Sequence, residues 1–187
     1  DLHSFPTRRS SDLFEAFIAR DTSVAEDITA ENEDINLISK QITDYLIKVS
    51  GENVSVHDDQ KISIMYHAIA DMLRISEISD NFIKYTRAYE EKNLKFSDSV
   101  FDNLKSMYHK LCEMYDLAIR IFDTFDKTHF DELEAMENSV DYMRRMLIEG
   151  HIKRLNDGSC TPESSSVFIN LVSNLERVGD HITFIAH

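Results

Sequence analysis

The chain has 187 residues and a formal net charge of −14, with only four glycines and two prolines. So few breakers exclude a turn-rich sheet protein, and the excess of acid makes nucleic acid and anionic lipid poor direct partners. The two cysteines, Cys112 and Cys160, form neither a metal-ligand spacing nor a disulfide framework, which points to a reduced, cytosolic setting.

In chain order, residues 1–12 come first and stand apart. The opening DLHSFPTRRSSDL has no apolar periodicity and no signal-peptide core. Its FPTRRSSDL string reads like translated adapter sequence, so residues 1–12 are treated as non-native and the natural chain is expected to continue further N-terminal. A short helix is predicted over 13–22. A second covers 24–50, opened by a Ser23-x-x-Glu26 capping box and closed by Gly51. A third covers 58–93 and carries Ile62, Met65, Ile69, Met72 and Ile83. A fourth, 97–127, carries Leu104, Met107, Leu111, Tyr115, Ala118 and Phe122. A fifth, 129–157, begins at Thr128-x-x-Asp131, ends near Gly158 and carries Leu133, Met136, Val140, Met143 and Leu147. The last, 161–187, starts with Thr161 as N-cap and Pro162 in the first turn. Its stripe is Phe168, Leu171, Leu175, Val178, Ile182 and Ile185. Spacings that alternate three and four draw one helix face, as in a bundle. No run reaches the roughly 20 apolar residues that span a bilayer.

The landmarks repeat. Phe17, Asp21 and Ser23 lie 105 residues before Phe122, Asp126 and Thr128. Asp71-Met72-Leu73-Arg74-Ile75 lies 103 residues before Asn174-Leu175-Glu176-Arg177-Val178. The expected fold is therefore all-α: two tandem three-helix bundles, 13–93 and 97–187, the first with its opening helix truncated.

Glu137/Asp141 and Glu176/Asp180 are i, i+4 pairs, each beside the apolar stripe of its helix. Composition alone predicts roughly six such pairs, so spacing by itself is weak. Adjacent antiparallel helices would gather the four carboxylates in one groove, where a cation must offset their repulsion. Oxygen donors suit Fe³⁺, Mg²⁺, Mn²⁺ or Ca²⁺, and Zn²⁺ also accepts them. The plainer reading is a solvated acidic edge paired with Arg144, Arg145 and Arg177. His151 and His181 could extend the site, although a helix-end or surface role is the commoner fate of such histidines. Glu-x-x-His, P-loop, GxSxG and GxGxxG motifs are absent, Cys112 lies in an apolar stripe, and Cys160 stands in a loop. An enzyme is not expected; a carboxylate-bridged metal oxidase is the one enzymatic alternative.

LERVGDHITFIAH, residues 175–187, resembles the ERxGDH signature of the PhoU family of phosphate-uptake regulators. HIKRLNDGSCTPESSSVF, residues 151–168, and Ile42-Thr43-Asp44-Tyr45-Leu46 are similar to the version found in the cytoplasmic tail of bacterial sodium–phosphate cotransporters. The resemblance implies tandem three-helix bundles with metal clusters on E/DxxxD motifs, one per bundle. On it, Glu137, Asp141, Glu176 and Asp180 fall on the acidic positions of the second bundle. The first departs: Asn32 and Asn36 stand for Glu137 and Asp141, Leu73 for Glu176 and Glu77 for Asp180, leaving Glu77 and Asp80 as remnants of a weakened site. Phe184 stands where the family usually has Asn. The implied function is regulation of phosphate uptake at the cytoplasmic face of the membrane. The implied partners are a preceding transmembrane transporter domain of the same protein and a second copy in a homodimer. The alternative is a free-standing regulator that contacts an ABC transporter and a sensor kinase.

Overall fold

A computed structural model describes residues 16, 17, 19, 21, 23, 25–52, 54–94 and 96–187. Among them five α-helices follow one another: α1 (Ala25–Ser50), α2 (Val56–Glu91), α3 (Asp98–Thr124), α4 (Phe130–Asn156) and α5 (Pro162–Ala186). No strand occurs among the described residues, so the all-α expectation holds, and helix ends fall within three residues of those predicted. None of these helices is long and apolar enough to cross a membrane. Residues 1–12 and most of the predicted helix 13–22 lie outside the described residues. Of that helix, Ala16, Phe17 and Ala19 are helical, and Phe17 stacks on Tyr89 with ring centroids 5.3 Å apart.

Helix α5 is the axis of the molecule. It packs against α2, α3 and α4, while α3 and α4 also pack together. A helix buried on several sides must be apolar on several sides, and α5 is: Val167, Phe168, Leu171, Val172, Leu175, Ile182, Ile185 and Ala186 are all buried. Each of these side chains but that of Ala186 contributes about 1.5–3 kcal/mol by leaving water. Stripes from α3 (Leu104, Met107, Leu111, Met114) and α4 (Leu133, Val140, Leu147) complete this core. The two units meet along α2 and α5. There the Asn174 side-chain amide donates to the Tyr85 hydroxyl, and His181 Nδ1 lies 2.9 Å from Asp71 Oδ1.

The caps explain the starts. Thr161 Oγ1 accepts from Ser164 N at 3.3 Å with Pro162 in the first turn, as predicted. Thr128 is not a cap. Asp126 instead accepts from Thr128 N at 3.0 Å and opens a 3₁₀ turn, Lys127–His129, from which α4 continues. An aspartate reaches its own backbone two residues on more readily than a threonine does. Ahead of α1, Asp21 accepts from Ser23 N at 2.9 Å in the same manner. Local geometry thus repeats at the 105-residue offset. Gly158 has φ +78, a left-handed conformation in which glycine avoids strain after the end of α4.

Candidate metal centre

Helix α4 presents Glu137 and Asp141 one turn apart, and α5 presents Glu176 and Asp180 likewise. What brings the faces together is Gly179. A Cβ there would meet Leu111 Cδ2 at 3.3 Å and Val140 Cγ1 at 3.6 Å. The missing side chain lets α5 approach both neighbours, so Asp180 follows directly from the tightest point of the bundle.

Asp141, Glu176 and Asp180 can each offer an oxygen such that all three lie within 4.8 Å of one another. All are half-buried. Glu137 belongs to the same field, since Asp180 and Asp141 both act on it electrostatically. Burial, then these like charges, pushes the Glu137 carboxyl above its usual range. Burial does the same to Glu176, opposed by Arg144 and reinforced by Asp180 and Asp141. Asp180 is raised by burial and then by Asp141, with His181, Arg177 and Arg144 opposing. Among the described residues the one counter-charge within ion-pair range is Arg144, whose Nε lies 3.7 Å from Glu176 Oε2. Arg177 and His181 oppose the raised values from further off, and Glu137, Glu176 and Asp180 still hold their protons above the usual carboxylate range. The acidic edge is half-buried, with Arg144 beside it as the solvated-edge reading expected.

The histidines go elsewhere. His151 is buried, not at the surface; its Nε2 lies 2.7 Å from Ser165 Oγ and its ring stacks on Phe168. Burial, then Arg154, holds its pKa down. His181 turns toward Asp71 on α2, not into the carboxylate cluster. Phe184 is mostly exposed and lines a cleft of ≈ 300 Å³ with Ile64, His67, Asp71, Ile185 and His187. The Cys160 thiol points at the backbone oxygen of His151, 3.9 Å away.

In the first unit the structure alters the expected alignment. Asn32 is buried; its amide donates to Asp80 and to Ser79 Oγ, and its oxygen accepts from Ser76 Oγ at 2.7 Å. Ile75-Ser76-Glu77-Ile78-Ser79-Asp80 therefore corresponds to Leu175-Glu176-Arg177-Val178-Gly179-Asp180, an offset of 100 and not 103. A slip of three residues is nearly one helical turn, so the apolar stripe still superimposes while the polar residues are mismatched. Ser76, not Leu73, takes the place of Glu176, and Asp80, not Glu77, that of Asp180. Glu77 corresponds to Arg177; it is exposed and paired with Arg74 at 2.6 Å. The structure thus gathers Asp141, Glu176 and Asp180, leaves Glu137 within their electrostatic reach, and leaves Glu77 outside. Sequence reasoning missed the Asn32 network, although Ser-x-x-Ser-Asp at 76–80 on a helix facing a buried Asn was its signal.

The PhoU domain family matches residues 104–187, the part of the chain that contains the carboxylate cluster. The phosphate-specific transport system accessory protein PhoU homolog 1 of Thermotoga maritima is 26% identical over 111 residues, 59% of this chain and 47% of that protein. The putative inorganic phosphate export protein YjbB of Salmonella typhimurium is 21% identical over 164 residues, 83% of this chain and 29% of that protein. The chain spans less than half the length of either relative. The crystal structure of the phosphate transport system regulatory protein PhoU from Streptococcus pneumoniae superimposes with a TM-score of 0.87 at 16% identity, covering 99% of this chain and 86% of that one. PhoU from Pseudomonas aeruginosa gives 0.85 at 18% identity, covering 96% and 86%. At these identities the structural likeness is one of fold.

Proposed function

We propose that this chain, which carries a PhoU domain over residues 104–187, is a non-enzymatic regulator of phosphate transport. In this reading its second unit holds a metal ion on Glu137, Asp141, Glu176 and Asp180. The observation that carries the metal reading is the convergence of Asp141, Glu176 and Asp180 oxygens within 4.8 Å inside that domain. The donor set fits a hard cation: all oxygen, several negative charges, raised proton affinity and a single arginine within ion-pair range. Such an ion would supply fixed positive charge, lock α4 against α5, and present an exposed face of the cluster to a partner. Arg144 would then swing from Glu176 or remain as a neighbour that sets the net charge of the loaded site.

The regulated partner is a phosphate transport system, as the names of the Thermotoga and Streptococcus relatives suggest. A separate chain that regulates a phosphate transport system is the reading that these names support; action on an ABC transporter and a sensor kinase is its finer form. One observation supports a second reading, a domain fused to a transporter: the Salmonella protein named as a phosphate exporter matches 83% of this chain with only 29% of its own length. In both, the chain works at the cytoplasmic face of the membrane.

The test is complementation. Cells that lack their own phosphate-uptake regulator are given the wild-type chain, and uptake of labelled phosphate is measured at low and high external phosphate. Restored control by wild type, lost with Glu176→Ala/Asp180→Ala, supports the proposal. Uptake unaffected by the wild-type chain, expressed with either class of transporter, overturns it. Metal content measured on the same purified proteins separates a failed regulator from an empty site.

A further inference from the structure

Beside the carboxylates of the second unit stands a cation drawn in from the surface. Arg144 lies one turn beyond Asp141 on the same face of α4. Its Nε is 3.7 Å from Glu176 Oε2, near enough for charge to act and too far for a hydrogen bond. That nitrogen is buried and, among the described residues, has no hydrogen-bond partner. The side chain as a whole still reaches water, with 36% of it exposed. A desolvated, unpaired N–H is costly, more so on a charged group. Arg145 and Arg177 avoid that cost by staying exposed. Arg144 alone of the three has its head against the groove, and its charge is felt by both Glu176 and Asp180.

The first unit shows what this arginine goes with. At the 105-residue offset Asn32 and Asn36 stand for Glu137 and Asp141, Lys40 for Arg145 and Ser39 for Arg144. Lys40 and Arg145 are both exposed, so a solvated cation holds that place with or without acids nearby. Ser39 is buried and neutral. The inward cation is present beside the acids and absent where amides and hydroxyls replace them. Helix packing does not require it, since the first unit closes α1 on α2 without one.

Resting on the metal reading above, we propose that Arg144 is a tethered counter-cation. In the metal-free protein its guanidinium offsets the carboxylates and lets α4 close on α5; when a metal ion is held, it gives up Glu176 and turns to the surface. The geometry suits both positions. Glu176 faces Arg144 and also belongs to the triad with Asp141 and Asp180, so one side chain serves guanidinium and metal in turn. An Nε without a hydrogen bond, on a side chain already part-exposed, has little to break on leaving. Two consequences follow with opposite signs. Without the guanidinium the like charges of the empty groove face one another and the fold weakens. Without it a metal ion meets no competing charge and binds more tightly. A residue that only props the groove open would, when removed, lower both.

The experiment compares wild type with Arg144→Met, Arg144→Lys and Arg145→Met, with Mn²⁺ as the probe. Equilibrium dialysis reads affinity, and thermal melting in chelator, followed by circular dichroism, reads the empty fold. Arg144→Met is expected to bind Mn²⁺ at least about tenfold more tightly, roughly 1.4 kcal/mol, and yet to melt at a lower temperature when empty. Arg144→Lys restores the charge and should bring both readings back toward wild type, and Arg145→Met should move neither. Should Arg144→Met fail to fold, modification of the wild-type chain by phenylglyoxal decides. Mass spectrometry of the peptides should show Arg144 reacting faster with Mn²⁺ than without, and Arg145 at the same rate in both. Wild type that binds Mn²⁺ while a folded Arg144→Met binds it no more tightly overturns the proposal and leaves the metal reading standing. So does an Arg144 whose reactivity Mn²⁺ leaves unchanged. Absence of Mn²⁺ binding in both proteins overturns the metal reading, and this proposal with it.

Discussion

The groove between α4 and α5 and the groove between α1 and α2 occupy matching places in the two units, yet they solve opposite problems. The first gathers Asp141, Glu176 and Asp180 with Glu137 in their electrostatic reach, and burial together with mutual repulsion raises the carboxyl pKa values of Glu137, Glu176 and Asp180. The second replaces three of the four acids with Asn32, Asn36 and Ser76, and Asn32 satisfies Ser76, Ser79 and Asp80 by hydrogen bonds. A groove of like charges needs a cation or protons to close; a groove of amide and hydroxyl groups closes on itself. The difference teaches that topology fixes where a site can form, and a handful of side chains decide whether it calls for an ion.

The largest expected effect breaks the charged side of that contrast. Glu176→Ala/Asp180→Ala should weaken binding of Mn²⁺ or Mg²⁺ at least about 100-fold, roughly 2.7 kcal/mol, whereas Asn32→Ala should leave it unchanged. Equilibrium dialysis with elemental analysis reads both. Converting the neutral groove sharpens the contrast: Asn32→Glu/Asn36→Asp/Ser76→Glu, alongside native Asp80, should raise the bound metal by one ion per chain. An unchanged stoichiometry would show that the first unit also lacks the helix approach that Gly179 gives the second.

Gly179→Ala tests that approach directly. The added Cβ must displace Leu111 at 3.3 Å, which should cost about 1–3 kcal/mol in urea unfolding and widen the α4–α5 groove. Ser79→Ala, at the matching place in α2, should cost less than half of that. Asn32→Ala removes the shared partner of Ser76 and Asp80, and a loss of about 1–2 kcal/mol is expected by the same measurement.

The pH dependence is smaller and its sign is fixed. Glu137, Glu176 and Asp180 bind protons more tightly folded than unfolded. Their contribution to stability is therefore full below the unfolded value, near pH 4, and is lost as pH rises through the raised folded values. Metal-free protein should lose part of its thermal stability over that rise, and added Mn²⁺ should restore more of it the higher the pH. The groups that face these carboxyls are Glu134, Asp141 and Arg144 on α4, Arg177 and His181 on α5, and His187. Subtracting the same titration of Glu176→Gln/Asp180→Asn isolates the site from the exposed aspartates Asp21, Asp126 and Asp157, whose pKa values are lowered and which act in the opposite sense.

Much of this was legible in residue order. Alternating spacings of three and four located α2 to α5, because a helix must bury one face, while α1 was located by its capping box and Gly51. Thr161-Pro162 marked the start of α5 because a cap side chain and a ring without an N–H both suit a first turn. The pairs at 137/141 and 176/180 were visible as i, i+4 acids. The 105-residue repeat was visible too, but its continuation in α2 was misread by three residues, since a stripe that recurs every three or four residues superimposes on itself after a slip of one turn.

Tertiary structure decided the rest. Only packing shows that His151 is a core residue on Phe168, that His181 reaches across to Asp71, and that Glu77 faces outward while Asp80 meets Asn32. Only packing shows Gly179 as the point where α3, α4 and α5 converge. By itself the sequence determined periodicities, caps and the presence of four acids on two helix faces, all of which are set by neighbours within a turn. Which acids meet, which arginine stands beside them, and where His181 turns depend on residues as far as 110 positions apart, and those distances are set only when the helices pack.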